Sequence, residues 1–191
     1  MKINKVKKIT DCQHLNLFSI NYKDRKNCEK KWIFASRSKQ LNPLEKDYAI
    51  PDAVVIVPFH NREKKLVVIK EFRVALGGYQ YGFPAGLVDS GETVGQAGKR
   101  ELFEETGLTL TKVLQQSPAI FSSSGLTDES VSLLFAECEG SPTTMFNETS
   151  EEIEVMMLSR DQASDILDNP LIKFDVKSWI VLNTFVCRGV I

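Results

Sequence analysis

Apolar positions along this chain change their period several times. Within residues 1 to 45, "LFSINYKD" and "KKWIFASRSK" alternate as half-exposed strands do, which predicts a small antiparallel sheet. "AVVIVPF" (53–59) and "KLVVIKEF" (65–72) are continuous β-branched runs joined by "HNREK", the pattern of a hairpin of buried strands. The passage "RVALGGYQYGFPAGLVDSGE" is glycine-rich and has no period. After it, Thr93 followed three residues later by Gln96 has the form of a capping box, and a helix runs from there to Thr106 with Gly107 as its stop. "KVLQQSPAIF" and "SVSLLFAEC" read as strands, "EGSPTTMFNETSEE" as a polar loop, and "IEVMMLS" as a returning strand. "SRDQASDILDNP" and "DVKSWIVLNTFV" give two helices separated by Asn169 and Pro170. No internal repeat or low-complexity stretch is present. The order predicts an α/β (α+β) chain: a mixed sheet with helices laid on it in residues 46–191, behind an N-terminal β extension in 1–45.

The composition narrows the class without naming a chemistry. A chain of 191 residues with 42% hydrophobic and 26% charged residues has enough apolar material for one domain with a core plus a small extension. A net charge of -1 gives no bulk attraction to nucleic acid. No apolar run approaches the roughly 18 residues of a membrane span, and the opening "MKINKVKKITDCQHLNLFSI" lacks a continuous apolar core, so a soluble, cytoplasmic protein is expected. The four cysteines are far apart without CxxC spacing, and two histidines make no zinc set; reduced thiols are expected.

The predicted helix carries a contradiction. At about 100° per residue, Glu101, Glu104 and Glu105 project on the same side as Val94, Ala97 and Gly98, while Phe103 points nearly opposite. Like charges at i, i+3 and i+4 repel by a few tenths of a kcal/mol per pair even in water. A solvated acidic face is one reading of three glutamates. The other is a hard divalent cation such as Mg²⁺, which takes oxygen ligands and leaves positions for water and phosphate.

The wider spacing bears on the choice. The stretch reads Gly86, five residues, Glu92, seven residues, Arg100-Glu101-Leu102, one residue, Glu104-Glu105, one residue, Gly107-Leu108. This resembles the signature of the Nudix hydrolases at every defining position. The resemblance implies the Nudix fold, a mixed sheet between helices, and hydrolysis of a diphosphate linked to a nucleoside with Mg²⁺ or Mn²⁺ as cofactor. It further implies Glu101 and Glu105 as principal metal ligands with Glu104 assisting, Arg100 orienting those glutamates, and Glu92 supporting the site from the turn.

The flanks resemble the ADP-ribose and ADP-sugar pyrophosphatases of that family, in "EFRVALGGYQYGFPAGLVDSGET" and in "KKWIFASR". Carried over by position, Trp32 stacks on adenine with Arg37 beside it; an ordinary core tryptophan is the alternative. Arg73 contacts the diphosphate or terminal ribose, or else pairs with Glu71 at the surface. The carbonyl of Ala85 joins the metal ligands, with Gly86 expected to let the chain turn sharply after it. A late-loop glutamate, Glu151 or Glu152, is the base implied for the attacking water, unless both are solvated loop residues. The resemblance also implies a homodimer whose N-terminal sheets exchange to share the purine pocket.

Two positions depart from the subfamily pattern. Ser124 stands in "SSSGLTDES" where relatives have proline, and Gly82 stands where they often have glutamate. Both bear on the sugar and not on the metal site. The activity implied is hydrolysis of ADP-ribose to AMP and ribose 5-phosphate; the alternatives are another nucleotide sugar such as GDP-mannose, or a Nudix-fold sensor that binds ADP-ribose without cleaving it. The partner expected is this small molecule, with no nucleic acid and no membrane.

Overall fold

A computed structural model describes residues 1–40 and 42–189. The chain divides into two compact units, Met1–Asp52 with Pro118–Val131, and Ala53–Ser117 with the chain from Ser132 on. The first unit thus takes in a later loop, which a boundary at residue 45 does not anticipate.

The first unit is built on an antiparallel sheet of β1 (Lys2–Lys8), β2 (Asn16–Lys23) and β3 (Glu29–Ser36), in that order. Register sorts its side chains. Phe18 lies opposite Phe34 and Ile20 opposite Trp32, while Lys5 and Lys31 both lie opposite Asn21. Side chains alternate across a strand, so one face gathers Phe18, Ile20, Trp32 and Phe34, while the other carries Lys5 and Lys31 beside Leu17 and Ile33. The sequence pattern missed β1, whose "KINKVKK" has too few apolar positions to show a period. The turn between β2 and β3 is closed by Asp24, whose Oδ1 accepts from the backbone N–H of Lys26 and of Cys28 at 2.8 and 2.9 Å. The later loop is tied to β3: Ala35 N donates to Leu126 O at 2.8 Å and Ser36 Oγ to Asp128 Oδ2 at 2.8 Å.

The second unit contains β4 (Ala53–His60), β5 (Lys65–Arg73), β6 (Gly78–Gly82), β7 (Ala85–Leu87), α1 (Val94–Thr106) and β8 (Thr109–Gln116). Strand β9 (Ile120–Phe121) belongs to the first unit and pairs with Ser130 and Val131, the first residues of β10 (Ser130–Glu139). Then come β11 (Ile153–Leu158), α2 (Arg160–Asp168) and α3 (Val176–Arg188). The sheet order is β11-β5-β4-β10-β8, with β6 on β5 and β7 on β4. The two short strands β6 and β7 fall in the glycine-rich passage, where Gly and Pro leave too few side chains to show a period.

Alternation along β4 sets the layers. Val54 and Ile56 bury against Val94 and Ala97 of α1 together with Leu134, whereas Phe59, of opposite parity, meets Phe185 of α3 at 6.4 Å between ring centroids. The sheet therefore has helices on both faces, as expected. A second cluster, Val67, Leu102, Leu108 and Cys138, fixes the C-terminal half of α1. Gly98 allows this approach: a Cβ there would fall 2.4 Å from Leu134 Cδ2. Among the described residues no helix is long and apolar enough to cross a membrane.

Candidate active site

The acidic helix begins and ends where the sequence indicates. Thr93 caps it, its hydroxyl accepting from Gln96 N while the Gln96 side chain returns to Thr93 N, and Gly107 closes it in the left-handed region at φ 70°. Fixed at both ends and packed through Leu102, α1 has no freedom to rotate its glutamates away from the sheet. Glu105 is only 5% exposed and Glu101 is half-buried, while Glu104 lies at the more open edge. Phe103, on the opposite side, stacks at 4.6 Å on Phe146 of the polar loop.

Arg100 organises the carboxylates. Its Nε and Nη2 donate to the two oxygens of Glu92 at 3.0 and 2.9 Å, and Nη1 donates to Glu101 Oε1 at 2.7 Å and Glu104 Oε2 at 3.2 Å. Nη2 also reaches the carbonyl of Leu87 at 3.0 Å. One guanidinium is thus shared by three carboxylates and a carbonyl, a task suited to a planar fork of five donors. These bonds hold Glu92 below the usual carboxylate range and raise Arg100 above its ordinary value, Glu92 contributing most.

Glu105 has no such cation. Its Oε2 accepts from the backbone N–H of Ala85 at 3.2 Å. Burial first, then the charge of Glu101, and further the charges of Glu71 and Glu151, push it up to about 9. Glu101 is also raised, because burial outweighs its bond to Arg100. Glu101 rests directly on Gly86, where a Cβ would lie 1.9 Å from its Oε1. Gly86 has no positive φ, so the expectation that it turns the chain sharply is corrected: it sits in β7, and the missing side chain makes room for a carboxylate.

This arrangement fits a divalent cation by its chemistry. The donors are all oxygen, their negative charge exceeds what Arg100 offsets, and the most buried of them is held in an environment that disfavours its charge unless a cation arrives. Among the described residues no three acidic, His or Cys side chains are already drawn together at ligand distance, since Arg100 holds Glu101 and Glu104 toward itself.

The NUDIX domain model matches residues 49–180, which include all of this helix. The chain belongs to the NUDIX family. A Caenorhabditis elegans member of the nudix hydrolases is 32% identical over 159 residues, covering 80% of this chain and 68% of that protein. The ADP-ribose pyrophosphatase of Saccharomyces cerevisiae is 31% identical over 135 residues, and the match spans 57% of the yeast enzyme's length and 70% of this chain. The ADP compounds hydrolase NudE of Escherichia coli reaches 43% over 77 residues, 38% of this chain and 40% of that one. A crystal structure of an ADP compounds hydrolase superposes with TM-score 0.75 over 98% of this chain and 95% of that chain; at 19% identity it shows the shared fold.

The remaining expected residues of this NUDIX chain fall in distinct places. Arg73 Nη1 pairs with Glu71 Oε1 at 2.5 Å in a surface ion pair. Glu71, two positions before Arg73 in "EFR", is one of the charges that raise Glu105. Glu151 and Glu152 diverge. Glu152 accepts the phenol of Tyr79, and its carbonyl takes the backbone N–H of Phe72 at 3.0 Å. Glu151 exchanges bonds with Glu148, and its charge raises both Glu101 and Glu105.

In the first unit, Trp32 is not a core tryptophan; it is 49% exposed and lines a cavity of about 220 Å³ with Ile20, Phe34, Leu44 and Phe121. Ser124, the proline-replacing position, lines it too. Arg37 lies on the chain after β3 and pairs through Nε with Glu129 Oε1 at 3.2 Å. Gly82 stands near α3, where a Cβ would meet Ser178 and Asp175 at 3.7 and 3.8 Å, ordinary contact distances.

Proposed function

We propose that this NUDIX chain hydrolyses the diphosphate linkage of ADP-ribose, giving AMP and ribose 5-phosphate, with Mg²⁺ or Mn²⁺ as cofactor. The observation that carries the reading is the helix α1 face, where Glu101 and the buried Glu105 sit together with one guanidinium shared among their neighbours. The activities for which the yeast and Escherichia coli relatives are named support the substrate class.

Glu101, Glu105 and the Ala85 carbonyl would hold the cation, with Glu104 completing the set. When bound, the cation stabilises charge on the phosphoryl oxygens and makes the attacking water more acidic. The chain's own residues do the rest. Arg100 keeps Glu101 and Glu104 oriented, and Glu92 and the Leu87 carbonyl keep Arg100 in place. Gly107 ends α1 so that Thr143 N can bond Thr106 O at 2.9 Å, which starts the polar loop from a fixed point.

Of the two loop glutamates, Glu151 takes the water's proton at its carboxylate. Its charge is felt by both helix glutamates, whereas Glu152 is engaged by Tyr79. Arg73, released from Glu71, binds the diphosphate or terminal ribose. Trp32 receives the adenine, with Arg37 beside it. The protein acts as a cytoplasmic homodimer formed through the N-terminal strands, whose exposed Leu17 and Ile33 supply apolar surface.

A panel of ADP-ribose, ADP-glucose, GDP-mannose, NADH and 8-oxo-dGTP with Mg²⁺ or Mn²⁺, products resolved by chromatography, tests the reading. ADP-ribose cleaved fastest to AMP and ribose 5-phosphate is the expected result. Fastest cleavage of GDP-mannose overturns the adenine assignment, and no cleavage of any compound leaves the protein a sensor.

A further inference from the structure

The cavity lined by Trp32 also presents a carboxylate, Asp128. Its apolar walls offer a flat surface to any base. The hydroxyls of Tyr48, Ser124 and Thr127, which also line it, can rotate to donate or accept. Asp128 cannot: an ionised carboxylate only accepts. Among the described lining residues it is the one polar side chain with a fixed hydrogen-bonding sense.

Asp128 is also held in place. Its Oδ2 accepts from Ser36 Oγ at 2.8 Å, and its backbone N–H reaches Ala35 O at 3.4 Å, so it is tied to β3, the strand that presents Trp32. Thr127 bridges to Ala35 in the same place. A carboxylate has about four acceptor sites, and Ser36 occupies one, so capacity remains for a ligand donor. The Tyr48 phenol, in the same lining, is raised above its ordinary value by burial first and by the charge of Asp128 next.

We propose that Asp128 is the specificity-determining residue for the base, accepting a hydrogen bond from the exocyclic amino group of adenine and disfavouring a base that presents a carbonyl oxygen there. The inference rests on the reading of the Trp32 cavity as the base site. An acceptor facing an acceptor leaves both unpaired, whereas the amino group satisfies the carboxylate. A hydroxyl-only lining would not distinguish them.

The test compares ADP-ribose with its hypoxanthine counterpart, IDP-ribose, in wild type, Asp128→Asn, Ser36→Ala and Trp32→Ala. Wild type is expected to prefer ADP-ribose by about tenfold or more in kcat/KM. Asp128→Asn, whose amide can turn either oxygen or nitrogen to the base, brings that ratio toward unity through KM with kcat little changed. Ser36→Ala, which loses the same internal bond but keeps the carboxylate, retains the preference. Trp32→Ala raises KM for both compounds and leaves the ratio. An Asp128→Asn ratio equal to wild type overturns the role of Asp128 while the base site stands; unchanged KM in Trp32→Ala overturns the base site itself. Inhibition of the wild-type protein by AMP and IMP needs no variant: AMP is expected to bind about tenfold tighter or more, and equal binding overturns the proposal.

Discussion

The carboxylate of Glu101 occupies the space that a side chain on Gly86 would fill, 1.9 Å from an ideal Cβ. Gly86→Ala is therefore expected to displace Glu101 while leaving β7 intact, because the backbone there has no positive φ. Activity should fall about 100-fold or more, and stability by no more than about 1 kcal/mol, since the displaced group is the end of a flexible side chain. Thermal unfolding and Mg²⁺-dependent turnover of the same sample separate the two; a variant with full activity refutes the contact.

Glu105 gives a pH-dependent prediction for the metal-free protein. Its folded value of about 9 lies above the unfolded carboxylate value of about 4.3, so between these the folded state holds a proton that the unfolded state has released. Stability from this group is full below about pH 4 and is lost as pH rises toward 9. Chelated protein should show Tm falling across that window, and Glu105→Gln should flatten the slope. The same variant should lose the Mg²⁺-induced rise in Tm. A Tm slope that persists in Glu105→Gln would assign the effect to another group.

The divergence of Glu151 and Glu152 separates two roles. Glu151→Gln is expected to lower kcat by about 100- to 10,000-fold with KM nearly unchanged. Tyr79→Phe removes the donor of the bond to Glu152, and Glu152→Gln keeps only a neutral acceptor for it, so both should give smaller losses. The reverse ranking of Glu151 and Glu152 would exchange their assignments.

Gly98 tests the support of the helix. Gly98→Ala places a methyl 2.4 Å from Leu134 Cδ2 and should destabilise by about 1–3 kcal/mol. Pairing it with Leu134→Val should recover part of the loss, as chemical denaturation of the double variant would show.

Much of this was legible in the chain because local signals coincide. Thr93, Gln96 and Gly107 mark both ends of α1, and the runs at 53 and 65 mark β4 and β5, since each depends on neighbours in sequence. The family and fold follow from the acidic spacing on that helix and are shown by the matched domain and the superposed structure. What was not legible depends on distant partners. Gly86 reads as a turn former until Glu101, fifteen positions away, is brought onto it. Arg73 reads equally as a phosphate ligand or a surface ion pair, and the pairing with Glu71 is a tertiary fact. Asp128 sits in a polar loop with no pattern around it, and only the return of that loop to β3 gives it a cavity to face.

The pairing of β11 with β5 places Ile153 directly opposite Glu71, and the ladder continues one step further through Phe72 N and the carbonyl of Glu152. The sheet therefore measures out the position of Glu151, only two residues before the strand begins. Extra residues inserted between Thr143 and Phe146 would lengthen a span anchored at Thr106 and Phe103, but a single residue added between Glu151 and Ile153 would break the count. For anyone grafting a new loop onto this scaffold, the usable joint lies before Glu148, and everything after it is part of the ruler.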